Sequence, residues 1–491
     1  MFGSFSTHRA LREASDALES ATSYTAWKQA AEAHDQITGA AAWREDGDSL
    51  YYDHVLMRKD VRSLKQLREA GDGRGLVEAL TASVYRHQAD IAAHELYVTA
   101  LAGPKHLVRD WLNEAEAALT WLVLHPVQGL SATDKRRRFE DAWKVYGRSA
   151  LMLSGGATWG FYHLGVVKSL FEAGVLPDIL SGASTGAMIA AGVCTRTDPE
   201  VADMFANPDC LRLDGLLPLE PRRALEAGAW LDPERLHEVL RHNVGDWTFA
   251  EAFARSGRAL NISVSPTRTR QKPRVLSHLT SPDVLVSSGA LASSALPGLF
   301  PPVVLDARSP DGSIVPYAPS ERWVDGSIYG DLPKLRLARL HNVNHFIVSQ
   351  TNPHVTFFVG KQGDRGVVPA VAGVATATAR TQGAYTADVV RRLTPSWGGP
   401  IRQAADRAYA MATQDYRGDI EIHPRFRANL LRKVVVNPTR ADLELFIREG
   451  ERATWPRLPM IEDQTRLGRV FRTCMAALRG PADAGRALAP G

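Results

Sequence analysis

A serine between two glycines is the first feature of this sequence that could do chemistry. The segment Gly182-Ala183-Ser184-Thr185-Gly186 follows the apolar stretch LPDIL and precedes the small-residue run AMIAAGVC. In the pattern G-x-S-x-G, a sharp strand-to-helix turn exposes the serine hydroxyl, and the flanking glycines relieve crowding. Ser184 is therefore a candidate nucleophile. A turn that only lets two elements pack closely is the alternative interpretation.

A second glycine-containing turn precedes the first by one strand–helix unit. The stretch LSGGATWG (153–160) predicts a strand that runs into glycines and then a helix. Because parallel strands joined by a right-handed crossover end at the same edge of a sheet, we expect this loop beside Ser184. N–H groups at a helix N-terminus attract negative charge, so the loop is a candidate oxyanion hole. A phosphate-binding site for a nucleotide is the rival, but the dinucleotide-binding glycine pattern fails at Ala157 and the Gly-Lys-Ser/Thr of a P-loop does not follow.

A serine hydroxyl is a poor nucleophile unless a neighbouring group accepts its proton. Asp325, in RWVDGSIYGDLP (322–333), follows an apolar pair and precedes a glycine, so it could end a strand and face the same cleft. An ordinary Asp-Gly turn is the alternative. Histidines compete as the base of a triad in the order Ser, acid, His. The candidates are His163, His278, His341, His345 and His354.

The elements that must position these residues fall into three regions. Residues 1–147 have apolar side chains at three- and four-residue spacing, which predicts an all-helical domain. Residues 148–351 alternate apolar runs, glycines and helical patterns, which predicts an α/β domain with a parallel sheet. Residues 352–491 predict a mainly helical region with a flexible tail. Further strands are predicted at 259–266, 274–279 and 345–351.

The composition predicts a globular protein of a reducing compartment. The 491 residues suffice for two or three domains, and 45% are hydrophobic and 23% charged. The net charge of +4, without one basic tract, argues against nucleic-acid binding. The three cysteines lack CxxC spacing, which favours the cytoplasm. We expect no signal peptide and no transmembrane helix, so contact with a membrane or lipid inclusion would be peripheral.

The run from residue 150 to residue 198 closely resembles the patatin-like lipases, specifically their triacylglycerol-lipase branch. Three motifs occur in the order that this family uses: the glycine loop, G-x-S-x-G and Asp325-Gly326-Ser327. SSALPGLFPPV (293–303), NVNHFIVSQTNPH (342–354) and the helical front region are also similar to that branch. The resemblance implies a three-layer α/β fold with a mainly parallel central sheet, flanked by a helical N-terminal domain and a helical C-terminal region.

The resemblance also implies a Ser-Asp catalytic dyad. Ser184 would attack the ester carbonyl, Asp325 would act as general base without a histidine, and water would release the acyl-enzyme. Ala157 stands where many members carry a third glycine, and Ser327 stands where glycine or alanine is commoner. The implied oxyanion donors are the N–H groups of Gly155, Gly156 and Ala157, and the supporting glycines are Gly160, Gly182, Gly186 and Gly326.

The branch resembled implies an acylglycerol substrate, first of all triacylglycerol, met at a lipid surface. Phospholipase A or lysophospholipase activity, acyl transfer, and a lipid-surface scaffold without activity are the alternatives. HLTSPD (278–283) matches an H-x-x-x-x-D spacing of acyltransferases, but it contains a proline turn. TADVVRRLTPSWGG (386–399) and the front domain are candidate lipid-docking elements. No cofactor or metal site is predicted, and the oligomeric state stays open.

Overall fold

The computed structural model describes residues 2–268, 271–352, 416–424 and 434–483. The chain forms two compact units. The first comprises Met1–Arg148, Ser169–Val175 and Thr454–Gly491, and the second comprises Ser149–Lys168 and Leu176–Ala453. The three-region division stays a prediction, because compactness does not test which parts of the chain fold alone.

The first unit is built from helices, as the periodicity of the front region predicts. Helix α7 (His106–Leu124) packs against α4 (His54–Glu69), α5 (Gly73–Ile91) and α19 (Leu458–Asp483), and its Trp111 and Leu112 are fully buried. Several of these helices begin at a side chain that accepts a backbone N–H, such as Asp53 at α4 and Asp72 at α5. The helices are α1 (Phe2–Ser20), α2 (Tyr24–Thr38), α3 (Ala40–Glu45), α4 (His54–Glu69), α5 (Gly73–Ile91), α6 (Glu95–Val98), α7 (His106–Leu124), α8 (Ala132–Tyr146) and α19 (Leu458–Asp483).

The second unit contains a mainly parallel sheet with helices packed on it. The strands are β1 (Arg148–Leu153), β2 (Ile179–Gly182), β3 (Ala259–Pro266), β4 (Arg274–Leu276), β7 (Trp323–Asp325), β8 (Val343–Ser349) and β9 (Ile420–Ile422), and a separate hairpin joins β5 (Leu305–Arg308) to β6 (Ile314–Tyr317). The sheet order over the described strands is β4-β3-β2-β1-β8-β9, with β7 also paired to β3. Strands β1, β2 and β3 are parallel, as are β8 and β9, whereas β4 and β7 are antiparallel to β3. The α/β prediction is confirmed.

The helices of the second unit follow the strands. They are α9 (Tyr162–Glu172), which ends within the first unit, α10 (Thr185–Cys194), α11 (Asp198–Ala206), α12 (Pro221–Ala227), α13 (Pro233–Val244), α14 (Phe249–Ser256), α15 (Val286–Ser294), α16 (Ser327–Gly330), α17 (Lys334–His341) and α18 (Arg440–Thr454). One face of the sheet packs Met152 and Ile179 against Leu337 of α17. Helices α10 and α15 pack on β3 and on each other.

The strand register places the two glycine-containing turns side by side. Leu153 pairs with Gly182 at the carboxyl ends of β1 and β2, so the loops that follow begin at one sheet edge, as the topology argument predicts. On the next strand, Val264 pairs with Asp325 of β7. All three candidate motifs therefore converge on the same edge.

Other predictions from the sequence have mixed outcomes. The strand predicted at 259–266 is β3, and those at 274–279 and 345–351 correspond to the shorter β4 and the slightly shifted β8. Within the region 352–491, predicted as mainly helical, the described residues form the helices α18 and α19 and the strand β9. The rest of that region, including the docking candidate at 386–399 and the tail from 484 onward, lies outside the described residues. Within the described ranges, no helix combines the length with the apolarity that crossing a bilayer requires.

Candidate active site

Ser184 occupies a strained turn between β2 and α10. Its backbone has φ 53° and ψ −127°, a conformation that L-residues adopt at a cost of about 1–3 kcal/mol. The surrounding structure holds it there: the Ser184 N–H donates to the Ser293 hydroxyl at 3.0 Å and to the Ser293 carbonyl at 3.1 Å. The Ser293 hydroxyl in turn donates to the carbonyl of Ser263 on β3 at 2.7 Å. Strain maintained by such contacts is typical of a nucleophile at a sharp turn.

Both glycines of the G-x-S-x-G motif lie so close to neighbouring backbone atoms that a side chain would not fit at either position. A Cβ atom at Gly182 would collide with the carbonyl oxygen of Gly186, and one at Gly186 would collide with the carbonyl oxygen of Leu153. Neither obstacle is a flexible side chain that could move aside. The turn packs tightly against β1, as the packing-turn interpretation predicts. Ser184 also lines the adjoining cavity, so it stays the candidate nucleophile.

The glycine loop is joined directly to the nucleophile turn. Thr185 donates its hydroxyl to the carbonyl of Ala157 at 2.7 Å, and a Cβ atom at Gly160 would lie 2.5 Å from the Cβ of Thr185. A Cβ atom at Gly155 would lie 3.4 Å from the Cβ of Ser184. The loop therefore lies where the sequence predicts it, beside the candidate nucleophile.

The N–H groups of this loop have different roles. The resemblance implies the N–H of Gly155 as an oxyanion donor. In the structure this N–H already donates to Oδ1 of Asp331 at 2.8 Å, so it is not available to an oxyanion. Within the described residues, the N–H groups of Gly156 and Ala157 donate to no acceptor, and both residues line the cavity that Ser184 faces. Ala157 has φ 47°, a left-handed conformation that costs alanine about 1–2 kcal/mol. The candidate oxyanion donors narrow to these two residues.

Asp325 is buried at the end of β7, next to Ser184. Its Oδ1 accepts the N–H of Ser327 at 2.8 Å, and the hydroxyl groups of Ser327 and Ser184 lie close enough to influence its ionisation. Burial raises the pKa of Asp325 to about 6, and the Ser327 N–H and the hydroxyl groups of Ser327 and Ser184 oppose that rise. Gly326 lets the strand end approach β3, since a Cβ there would collide with the carbonyl of Ser263. Asp325 is therefore the candidate proton acceptor for Ser184, because a carboxyl group with a pKa of about 6 can exchange a proton near neutral pH.

Asp331 is a second buried carboxyl that sequence reasoning missed. Besides Gly155, it accepts the side-chain amide of Asn352 through Oδ2 at 2.5 Å. Burial raises the pKa of Asp331 well above its ordinary value, and the nearby charge of Asp325 raises it further. A signal was present in the sequence: Asp331 lies in the same short GSIYGDLP segment that follows the candidate base.

The structure describes four of the five candidate histidines, and each of the four has partners other than Ser184 and Asp325. The His163 ring is fully buried between the Ser349 hydroxyl at 2.7 Å and the Ser154 carbonyl at 3.0 Å, and burial lowers its pKa to about 4. His278 stacks on Phe253; His341 contacts Asn261, and His345 contacts Ser149. His354 lies outside the described residues. Among the described residues, no histidine is placed to complete a triad.

An apolar cavity of about 300 Å³ opens onto these groups. Ser184, Asp325, Gly156 and Ala157 form its polar end. The rest is mostly apolar, including Phe161, Met188, Met204, Leu240 and Phe300. Within the described part of the chain, no cluster of three or more His, Cys, Asp or Glu side chains is arranged to hold a metal ion. The arrangement combines a hydroxyl, a carboxyl and two amide donors with an apolar binding space.

The chain has relatives along nearly its whole length. Residues 151–335 match a family described as patatin-like phospholipase, and residues 4–144 match a domain of unknown function, DUF3336. The chain is 33% identical over 457 residues to triacylglycerol lipase ptl3 of Schizosaccharomyces pombe, covering 90% of this chain and 93% of that protein. The chain belongs to the patatin-like phospholipase family.

Other patatin-like relatives are longer than this chain. Triacylglycerol lipase SDP1L of Arabidopsis thaliana is 32% identical over 445 residues, 87% of this chain and 54% of that protein. The chain spans about half the length, 51% and 48%, of the first two curated relatives that it matches. Among solved structures, VipD from Legionella pneumophila aligns at 14% identity over 64% of this chain and 67% of that chain, with a TM-score of 0.32.

Proposed function

We propose that this patatin-like protein is a serine esterase that hydrolyses acyl esters of glycerolipids, with triacylglycerol as its preferred substrate. The observation that carries the proposal is the placement of the Ser184 hydroxyl beside the buried Asp325 carboxylate, whose pKa that hydroxyl lowers, at the polar end of an apolar cavity. Two relatives named triacylglycerol lipase support the choice of substrate.

The proposed reaction uses two proton transfers through one carboxyl group. The Ser184 hydroxyl oxygen attacks the ester carbonyl carbon while Asp325 accepts its proton, and the N–H groups of Gly156 and Ala157 stabilise the oxyanion. Collapse of the tetrahedral intermediate breaks the bond to the glycerol oxygen, which takes the proton from Asp325. Water then attacks the acyl-serine ester with Asp325 again as base, and the fatty acid leaves as Ser184 regains its proton.

The charge of the cavity favours a neutral substrate over a phospholipid. Arg212 is the one cationic side chain among the described lining residues, and both Nε and Nη2 donate to the carboxylate of Asp214 at 3.4 Å. A phosphate group would have to compete with that carboxylate. An acylglycerol carries no charge and needs no such partner. Phospholipid hydrolysis and acyl transfer stay alternatives, because the same acyl-enzyme could serve each.

Fatty-acid release from emulsified triacylglycerol, phospholipid and lysophospholipid tests the proposal. Ser184→Ala should abolish release from all three, and wild-type turnover should be highest on triacylglycerol. Ser181→Ala is the matched control: this buried hydroxyl lies three residues earlier, on β2, and has no hydrogen-bond partner among the described residues. It should keep wild-type turnover. Release by Ser184→Ala would reject the proposed nucleophile, and release from phospholipid alone would reject the proposed substrate.

A further inference from the structure

Exposed apolar side chains of the second unit concentrate around the entrance of the apolar cavity. Among the described residues of that unit, ten large hydrophobic side chains are exposed, and six of them lie on three chain segments linked to one another. Scattered exposed hydrophobic residues are normal, but a contiguous group marks an interaction site. These six, which we call the apolar rim, are Leu217, Leu225, Trp230, Leu296, Val435 and Val436.

Backbone hydrogen bonds connect the segments of the apolar rim. The N–H of Trp230 donates to the carbonyl of Gly298 at 3.2 Å, and its carbonyl accepts the N–H of Leu219 at 2.9 Å. The side chain of Asn437 bonds both the N–H and the carbonyl of Leu216, at 2.8 and 2.9 Å. The exposed side chains therefore stand on a backbone that is held in place, with their apolar surfaces already turned to solvent.

The apolar rim is continuous with the cavity. Leu296 and Val435 belong to both, because each is exposed and each lines the cavity. Leu216 lines the cavity next to the exposed Leu217. An acyl chain that passes from a lipid phase over the rim into the cavity would thus contact apolar side chains along its path to Ser184.

Charge and position together indicate what the rim binds. The segment 220–232, which carries Leu225 and Trp230, has two basic residues, Arg222 and Arg223, and three acidic residues, Glu220, Glu226 and Asp232. Its charges therefore nearly balance and give little attraction to an anionic surface. A protein bound over Leu296 and Val435 would cover the entrance through which the substrate must pass. A lipid surface with electrically neutral headgroups needs no charge attraction, and it supplies the substrate at the entrance instead of blocking it.

We propose that the apolar rim inserts into the neutral surface of a lipid phase, such as a phosphatidylcholine layer over triacylglycerol, and so places the cavity entrance on its substrate. The inference rests on the proposed esterase function. Trp230, exposed to 71%, and Leu225, exposed to 87%, are the two principal anchors. Large apolar and tryptophan side chains favour this position between water and lipid.

Binding to phosphatidylcholine vesicles tests the inference with the full-length chain. The variants are Leu225→Ser, Trp230→Ser and the pair, and the matched control is Leu335→Ser on α17, a leucine exposed to 65% outside the rim. The pair should weaken vesicle binding by about tenfold or more. Hydrolysis of a phosphatidylcholine-coated triolein emulsion should fall in parallel. Neither residue lines the cavity, so turnover of a water-soluble short-chain ester should not change.

The outcomes separate this inference from the proposed function. Unchanged vesicle binding by the paired variant would overturn the docking surface even where the soluble ester is hydrolysed. Sedimentation velocity gives a second test: an oligomer formed by the wild type but not by the paired variant would show that a second copy of the chain occupies the rim. Loss of wild-type vesicle binding at high salt would also overturn the inference, because binding would then depend on charge. Absence of soluble-ester hydrolysis by the wild type, with rim-dependent vesicle binding, would instead overturn the esterase and leave the docking surface standing.

Discussion

Burial of the Asp325 carboxyl sets the pH range in which it could act as a base. Its pKa of about 6 means that the ionised form predominates at neutral pH while still accepting a proton more readily than an exposed aspartate would. We expect kcat/KM on a soluble ester to fall as the pH drops through about 6. His163 has a pKa near 4, so a catalytic His163 would instead place the fall near that value. A pH–rate profile of the wild type distinguishes the two.

The same burial should make Asp325 unfavourable for stability at neutral pH. Since its folded-state pKa is raised, its contribution to stability is present below pH about 4 and is lost as the pH rises through about 6. The difference from an ordinary aspartate corresponds to about 3 kcal/mol. The stability of Asp325→Asn relative to the wild type should therefore be greater at about pH 8 than at about pH 4, and the variant should lose turnover. Thermal unfolding at both pH values measures this, and a pH-independent difference would contradict it.

We expect Asp331 to affect the reaction rate by holding the glycine loop in position. Replacement by leucine removes the acceptor of the Gly155 N–H, and an unsatisfied buried N–H costs about 1–3 kcal/mol. We expect Asp331→Leu to lower kcat by about tenfold to a hundredfold with little change in KM, because the displaced N–H groups act on the transition state. Asp331→Asn keeps an acceptor oxygen and should recover most of the loss. Equal kcat for both variants would show that the contact does not position the loop.

At the scale of elements, the turn between β2 and α10 depends on the absence of side chains at two positions. Gly186→Ala would force apart α10 and β1, because its Cβ would meet the Leu153 carbonyl, and we expect it to destabilise the fold by about 2 kcal/mol or more. Gly192 lies in the same helix, where a Cβ would meet nothing nearer than the Arg196 side chain at 3.7 Å.

Gly192→Ala is the matched control for that prediction. Alanine in a helix interior is favoured over glycine by about 0.5–1 kcal/mol, so this variant should melt at or slightly above the wild-type temperature. Denaturant titration of both variants checks the contrast. Similar stability of the two variants would show that the turn tolerates a side chain at residue 186, and that close packing does not explain the glycine there.

At the scale of the whole molecule, local patterns predict the elements better than they predict the contacts between distant motifs. The strand at 259–266 and the shared sheet edge follow from hydrophobic pattern and crossover handedness, which are local or nearly so. The occupied N–H of Gly155 could not be predicted in this way, because its acceptor Asp331 is 176 residues away. The β5–β6 hairpin also escaped prediction: Ile314–Tyr317 is mostly exposed and lacks a clear alternation.

The most direct measurement is to map the site and rate of reaction with a fluorophosphonate, which reacts with an activated serine. The account predicts one adduct, on the peptide that contains Ser184, formed rapidly by the wild type and by Ser181→Ala and at least about a hundredfold more slowly by Asp325→Asn. An adduct on another serine, or Asp325→Asn reacting at the wild-type rate, would contradict it.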